Sequence, residues 1–291
     1  MRRGPIQPAD SAFQILADLI HERTGLIYEN SRADLLSDRL ALLMSESGFD
    51  AYLDYYYYLK YDEKAEGEWR RVQHALAVNE TYFWREYDQI RAAVEEIVPR
   101  LQRERPGQPV RIWHAACATG EEPYTMAIAL TEAGCYLRGP VEITATDFNE
   151  AALEQACKGI YRQRSFRSIP LDIWRRYFQP SGVEQYQLVD AIRERVDFRY
   201  MNLLDETSMT GMRNYDIILC RNAFIYFSSP AIQRVVRHFY QALNPDSYLF
   251  VSAAESLLRI TNQFELVEVG DAFGYQKRSA ANSLTFGEQH G

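Results

Sequence analysis

From Val110 onward the sequence alternates short β-rich runs with helical ones, and this alternation limits the fold more than any other feature. Residues 110–113, 141–145, 215–220 and 248–251 read as strands. Residues 121–130, 150–158 and 230–243 read as the helices between them, the last with Pro230 in its first turn. Residues 264–269 and 272–276 would close the sheet as a hairpin. Such a pattern implies a parallel, doubly wound sheet covered on both faces. Ligands of such sheets lie beyond the carboxyl ends of the strands.

Between Tyr161 and Asn202 the alternation stops. Residues 171–177 read as a helix leading to Pro180-Ser181-Gly182, and the runs 185–189 and 195–198 read as a small antiparallel insert. Ahead of Val110 the rhythm is helical. Asp10-Ser11 is a good N-cap for Phe13, Leu16, Ala17 and Ile20 at helical spacing, and Gly25 suits the left-handed residue that follows. A second helix is expected from about Ser31, with Leu35, Leu36, Leu40 and Leu43 on one side, and a third from about Ala51. The third holds Tyr55-Tyr56-Tyr57-Tyr58, four rings that in a helix point several ways, some into the core.

Composition narrows the function. The chain carries 32 Lys and Arg against 40 Asp and Glu, a net charge of −8, the wrong sign for coating nucleic acid or anionic lipid. No run approaches the ~18 apolar residues of a membrane span. Met1-Arg2-Arg3-Gly4-Pro5 has no apolar run behind it and does not read as a signal peptide. Cys117, Cys135, Cys157 and Cys220 form no CxxC and read as free thiols of a reducing cytosol. His21, His74, His114, His238 and His290 are scattered, and no metal site is expected.

Five segments carry possible chemistry. The first strand leaves into His114-Ala115-Ala116-Cys117-Ala118-Thr119-Gly120-Glu121-Glu122-Pro123-Tyr124. Small residues there let a ligand approach the backbone. This is neither GxGxxG nor a phosphate loop, and Glu121 and Glu122 would repel a phosphate. They suit a ligand carrying an ammonium group, or they merely complement the helix dipole. Asp147 ends the second strand, where nucleoside-binding sheets keep an acceptor for ribose hydroxyls, although an Asp there also serves as an N-cap. Asn79-Glu80-Thr81-Tyr82-Phe83-Trp84-Arg85 closes the helical region. Met201-Asn202-Leu203-Leu204-Asp205 and Cys220-Arg221-Asn222-Ala223-Phe224-Ile225-Tyr226-Phe227 follow later strands. Arg221, at the open end of a buried strand, serves a ligand or an internal ion pair.

Taken in order, NETYFWR, AACATGEEPY, TATD, the GIYR of 159–162, the RRYF of 175–178, NLL and CRNAFIYF resemble the chemoreceptor glutamate methyltransferases of bacterial chemotaxis, the CheR family. The resemblance runs from the N-terminal helices to about Lys277. It implies an α/β fold: a Rossmann-like sheet of the S-adenosylmethionine (SAM)-dependent methyltransferase kind, an N-terminal all-helical domain and a small antiparallel β-subdomain insert. The expected division is a helical domain at 1–75, a linker at 76–107 carrying NETYFWR, a methyltransferase domain at 108–279 with its insert at about 178–200, and a flexible tail at 280–291. By position, Asn79, Thr81 and Arg85 would line the cofactor and acceptor pocket. Glu122 and Asp147 would hold the methionine–ribose end of SAM, and Asn202 and Leu203 would frame its adenine. Arg221, Asn222 and Tyr226 would surround the methionine moiety and the incoming carboxylate, with Arg85 and Tyr226 as the catalytic pair.

The implied reaction forms glutamate methyl esters on the cytoplasmic domain of a chemoreceptor and releases S-adenosylhomocysteine (SAH). The protein would be a cytoplasmic monomer that binds no nucleic acid and enters no membrane. Ser252-Ala253-Ala254-Glu255 stands in place of a Gly-His-Ser-Glu, Asn244-Pro245-Asp246-Ser247 in place of a Pro-Gly-Gly turn, and Ala118 and Thr125 in place of serines. Residues 1–75 hold nine Lys and Arg against thirteen Asp and Glu, and only Arg32 and Arg39 mark the helix that docks receptors in better-described members. The 179–189 loop is short and lacks a glycine-rich turn, which points to the class that works without a receptor's C-terminal pentapeptide. Two other readings share the motifs: a carboxyl methyltransferase for a non-chemotaxis signalling protein or a small acid, and a SAM- or SAH-binding scaffold without turnover.

Overall fold

The computed structural model describes residues 11–28 and 33–278. Asp10 as a cap, the start near Ser31, Arg32 and the tail at 280–291 lie outside the described residues. The chain divides into two compact units, one of residues 1–78 with 226–232, the other of 79–225 with 233–291.

The smaller unit is built on α1 (Ser11–Thr24), α2 (Ala33–Glu46), α3 (Tyr52–Tyr61) and α4 (Ala65–Leu76). Phe13, Leu16 and Ile20 are buried on α1, and Gly25 follows at φ +74°, as the sequence requires. Tyr52, Tyr55 and Leu59 are buried on α3, while Tyr57 is exposed, so the tyrosine run does spread around its helix. Tyr55 donates to the buried Glu68 of α4 at 2.7 Å, and Ser47 and Arg71 share that carboxylate. Burial, then the bond to Glu68, pushes the Tyr55 hydroxyl far above its ordinary value. Arg39 donates to the carbonyl of Ala75 at 2.8 Å near the end of α4. Its guanidinium therefore caps a helix instead of standing free on a docking face. Residues 226–232 join this unit through Ile27 N–H to the Tyr226 carbonyl (2.8 Å) and Ser228 N–H to the Gly25 carbonyl (3.1 Å).

The larger unit begins with α5 (Tyr87–Ala92), a π-helical turn over Ala93–Ile97, and α6 (Val98–Glu104). Its alternating part runs β1 (Val110–Ala115), α7 (Glu121–Glu132), α8 (Cys135–Arg138), β2 (Val141–Asp147), α9 (Glu150–Lys158), β3 (Ile160–Arg162), α10 (Leu171–Tyr177), β4 (Phe178–Gly182), β5 (Gln185–Leu188), α11 (Asp190–Arg193), β6 (Val196–Tyr200), α12 (Glu206–Met209) and β7 (Tyr215–Leu219). α13 (Ser229–Ala242), β8 (Leu243–Phe250), β9 (Phe264–Val269) and β10 (Ala272–Lys277) complete it. The sheet has seven strands in the order β6-β2-β1-β7-β8-β10-β9. β6, β2, β1, β7 and β8 are parallel, and β10 runs antiparallel between β8 and β9. β7 is buried at every position, as a strand covered on both faces must be.

Two expectations are corrected. The run 195–198 is not part of the insert, because β6 pairs in parallel with β2 at the edge of the main sheet. The small antiparallel sheet is β3-β5-β4, which starts at Ile160 and ends at Leu188. Alternation alone cannot tell a short edge strand from an insert strand, since both are half-exposed. The stretch expected as a linker at 76–107 is instead helical from Tyr87 to Glu104, and Phe83, Ile90, Ala93, Val94, Ile97 and Val98 sit in the core of the larger unit. Its apolar residues recur at helical spacing across the π turn, a rhythm that the neighbouring charges mask.

Phe83 ties the Asn79–Arg85 segment to the insert. Its ring packs on Tyr161, Phe166 and Phe178 at centroid distances of 4.9, 5.5 and 4.9 Å. Of the four cysteines only Cys157, on α9, is exposed, and none forms a disulfide. Phe83→Ala is expected to destabilise the larger unit by about 3–5 kcal/mol, and Tyr57→Ala to change stability by no more than about 0.5 kcal/mol. Urea denaturation followed by circular dichroism measures both.

Candidate functional site

The carboxyl ends of β1, β2, β6 and β7 bring four of the singled-out segments together. After β1 the chain turns through Ala116 (φ +58°), Ala118 (φ +49°) and Gly120 (φ +89°) into α7. A Cβ on Gly120 would lie 2.8 Å from that of Ala156 and 3.2 Å from the Phe198 ring. Only glycine meets both the conformation and the space at that position.

Asp147 holds this turn. One of its oxygens accepts from Ala118 N–H at 2.8 Å and the other from Asn149 N–H at 2.9 Å. Its own carbonyl accepts from Met201 N–H at 2.9 Å, so the ends of β1, β2 and β6 meet at one residue. Asn149 is the N-cap of α9, a role the sequence also allowed for Asp147. Burial pushes the Asp147 carboxyl up to about 6, against the pull of its backbone donors. With its backbone donors in place, the carboxylate still has lone-pair capacity for a further donor.

Glu121 and Glu122 diverge. Glu121 is buried and accepts from the Thr119 and Ser165 hydroxyls at 2.6 and 2.9 Å, and burial raises its carboxyl above the usual range. Glu122 is half-buried. Its Oε1 stands 2.7 Å from His114 Nδ1, and its Oε2 3.3 Å from Arg221 Nε. Burial alone would raise Glu122, but the Arg221 charge and the His114 bond outweigh it and hold the carboxyl below its ordinary value. Geometry thus sets Glu122 apart as the acid with charge to offer, and Glu121 as the acid spent on structure.

Arg221 follows β7 and is buried. Its Nη1 and Nη2 donate to the carbonyls of Glu86 (3.1 Å) and Arg85 (2.6 Å). Its Nε has no hydrogen-bond acceptor among the described residues. Asn222 donates through Nδ2 to Glu86 Oε1 at 3.2 Å. The Asn79–Arg85 segment is therefore fastened to the loop after β7. Trp84 and Glu86 take φ values of +64° and +45°, positions where non-glycine residues are strained. The Trp84–Tyr87 stack, at 5.2 Å and 17°, holds them in place. The Arg85 side chain bonds the Glu80 carbonyl at 2.8 Å and lies 5.6 Å from the Tyr82 ring centroid.

Asn202 accepts from Leu204 N–H at 3.0 Å, and the Leu203 carbonyl stands 3.0 Å from His238 Nδ1. Asn79 is exposed and Thr81 half-buried. Tyr226 is counted with the helical unit.

Sequence reasoning missed two residues. Glu255 is buried and accepts from the N–H groups of Asn222, Ile225 and Ser252 at 2.9, 3.2 and 3.0 Å, and from the Ser252 hydroxyl at 2.8 Å. It is what the departing Ser252-Ala253-Ala254-Glu255 stretch keeps. A lone glutamate after a buried strand was the available signal. His114 was set aside with the scattered histidines, although its place on β1 puts it against α7.

The donor set fits a nucleoside bearing an amino acid. A carboxylate with spare lone pairs suits ribose hydroxyls, a second carboxylate suits an ammonium group, and a buried guanidinium N–H awaits an acceptor. Fold and donors together define the class as a SAM-dependent methyltransferase. Residues 79–273 match the family domain described as "CheR methyltransferase, SAM binding domain" and residues 11–77 its "all-alpha domain". The chain belongs to the CheR methyltransferase family. It is 35% identical over 269 residues to chemotaxis protein methyltransferase 2 of Vibrio cholerae, covering 92% of this chain and 93% of that one. It is 29% identical to chemotaxis protein methyltransferase Cher2 of Pseudomonas putida, covering 91% and 98%. S-adenosylmethionine is the cofactor of this family domain.

A carboxylate accepts from hydroxyl donors most strongly when it is ionised, so an ionised Asp147 is the form suited to ribose hydroxyls. SAH affinity is therefore expected to fall as pH drops through about 6. Calorimetry should find it weaker by roughly tenfold between pH 7 and 5. The sign for folding is opposite. With its carboxyl raised from 3.8 to about 6, Asp147 favours the fold below 3.8 and loses that contribution as pH rises through 6. Glu255→Ala frees three backbone N–H groups and is expected to cost about 2–4 kcal/mol in a thermal melt.

Proposed function

We propose that the protein transfers the methyl group of S-adenosylmethionine to glutamate side chains on the cytoplasmic domain of a chemoreceptor, forming methyl esters. The observation that carries this reading is the convergence of Asp147, Glu122 and Arg221 beside the Arg85 backbone. The similarity to named chemotaxis methyltransferases over nine-tenths of the chain supports the acceptor. The reading includes a monomer at work in the cytoplasm.

In this assignment Asp147 binds the ribose, Glu122 the ammonium group and Arg221 the neighbouring carboxylate or thioether end. Asn222 stands beside Arg221, and Asn202 and Leu203 frame the adenine. Asn79 and Thr81 line the approach. When bound, the cofactor supplies an electrophilic methyl group on a positively charged sulfur. A glutamate with a pKa near ~4.3 is already ionised at neutral pH, so no general base is required. Rate then comes from alignment and from keeping water off the nucleophile. Opposite charges vanish as the methyl moves. Strong counter-charges at the acceptor oxygen would stabilise the ground state more than the transition state. Arg85 is suited to a light hold on the carboxylate, because the Glu80 carbonyl and the Tyr82 face share its guanidinium. Tyr226 would add one neutral hydrogen bond.

Two observations bear on docking. Arg39 is engaged by the Ala75 carbonyl, which holds its guanidinium against the end of α4 instead of leaving it extended from the usual receptor-facing helix. Only Val183 and Glu184 separate β4 from β5, which supports a pentapeptide-independent enzyme.

The test incubates the protein with methyl-labelled SAM and receptor cytoplasmic fragments from the same organism. The expected result is base-labile label on glutamates. Label on small acids or other proteins, with none on receptors, would reject the acceptor. Binding without label anywhere would indicate a scaffold. Arg85→Ala is expected to lower turnover by about tenfold or more, with a smaller loss for Tyr226→Phe. Full turnover in both variants would remove their assigned roles.

A further inference from the structure

The imidazole of His114 occupies an expensive position. It is wholly buried on β1, between β2 and β7, and its Nε2 has no hydrogen-bond partner among the described residues. A buried polar atom left unpaired costs stability, and an aliphatic residue would fill that space without the penalty. What the imidazole has in return is one contact, Nδ1 at 2.7 Å from Glu122 Oε1. Glu122 is ionised, so Nδ1 carries the hydrogen and donates it.

That bond is one of two restraints on how Glu122 meets its other neighbour. Arg221 Nε lies 3.3 Å from Oε2, and a guanidinium beside a carboxylate tends to close into a two-bond fork. Closure needs both carboxylate oxygens to turn toward the arginine. With Oε1 held by His114, only Oε2 faces Arg221, and the pair stays open. The Arg221 Nη atoms are likewise engaged elsewhere, by the Arg85 and Glu86 carbonyls. Both partners are thus held by third groups to a one-point contact, and each retains unspent hydrogen-bonding capacity.

We propose that His114 is a positioning residue: it holds one oxygen of Glu122, keeps that carboxylate from collapsing onto Arg221, and so preserves it for the ammonium group of the cofactor. The proposal rests on the assignment of Glu122 to the amino-acid end of SAM. It gives His114 a part in selecting ligands that carry that end over ligands that carry the nucleoside alone.

The test compares SAH with 5′-methylthioadenosine, which shares the nucleoside and thioether but lacks the amino acid. Binding of both is measured by calorimetry. His114→Leu is expected to weaken SAH by about tenfold or more while methylthioadenosine changes by less than about twofold. His114→Asn places an amide N–H where Nδ1 stood and should restore most of the SAH affinity. His114→Gln places its amide near Nε2 and should behave like the leucine variant, which keeps the test open if leucine impairs folding. Glu122→Gln, run alongside, should lose SAH selectively.

A parallel loss of both ligands in the leucine and glutamine variants would make His114 merely structural and overturn the proposal. So would unchanged SAH binding in those variants while Glu122→Gln loses it. If Glu122→Gln also keeps SAH, the assignment of Glu122 fails first and takes the proposal with it.

Discussion

The carboxylate of Asp147 is the point on which the working edge of this protein depends. It is buried, yet two backbone N–H groups point at it from loops that follow different strands. Without an acceptor there, Ala118 would have no reason to adopt its left-handed conformation, and the turn into α7 would lose its shape. Glu255 repeats the device between the loops after β7 and β8. Glu122 repeats it between β1, α7 and β7, with side chains in place of backbone. Three acids, two buried and one half-buried, thus organise an edge that hydrophobic packing alone leaves open. Burying charge is tolerable because each acid is surrounded by donors.

This arrangement separates the duties of rigidity and chemistry. The sheet and its apolar helices provide a fixed platform, with β7 buried throughout. The acids fix the loops, and the unspent lone pairs and N–H groups on those same acids and on Arg221 are what a ligand can use. Preorganisation of this kind suits a reaction that needs alignment rather than proton transfer. Burial of the same edge is what raises the Asp147 pKa.

Much of the fold could be read before any coordinates. Strand–helix alternation placed β1, β2, β7 and the β9–β10 hairpin within a residue or two. It failed at β6 and at residues 87–104. β6 is an edge strand whose exposed face hides its membership of the main sheet, and the helices after Arg85 pack through residues spaced around a π turn. At the site, Asp147, Glu122 and Arg221 stood out by type and position relative to strand ends. His114 and Glu255 did not, since what distinguishes them is their partners across the fold, and one-dimensional spacing carries no record of that. Arg39 shows the converse: its charge was visible, but not the Ala75 carbonyl that engages it.

Cys157 offers a practical opening. Three of the four thiols are buried, whereas this one is exposed on α9, next to Ala156. The Ala156 methyl lies against the Gly120 backbone, and its carbonyl accepts from the Tyr124 hydroxyl on α7. A maleimide dye attached at Cys157 would therefore sit one residue from the contact between Ala156 and the Gly120 turn. With one exposed thiol among its four, the chain offers an attachment point for an optical reporter beside the turn from β1 into α7 without engineering a cysteine.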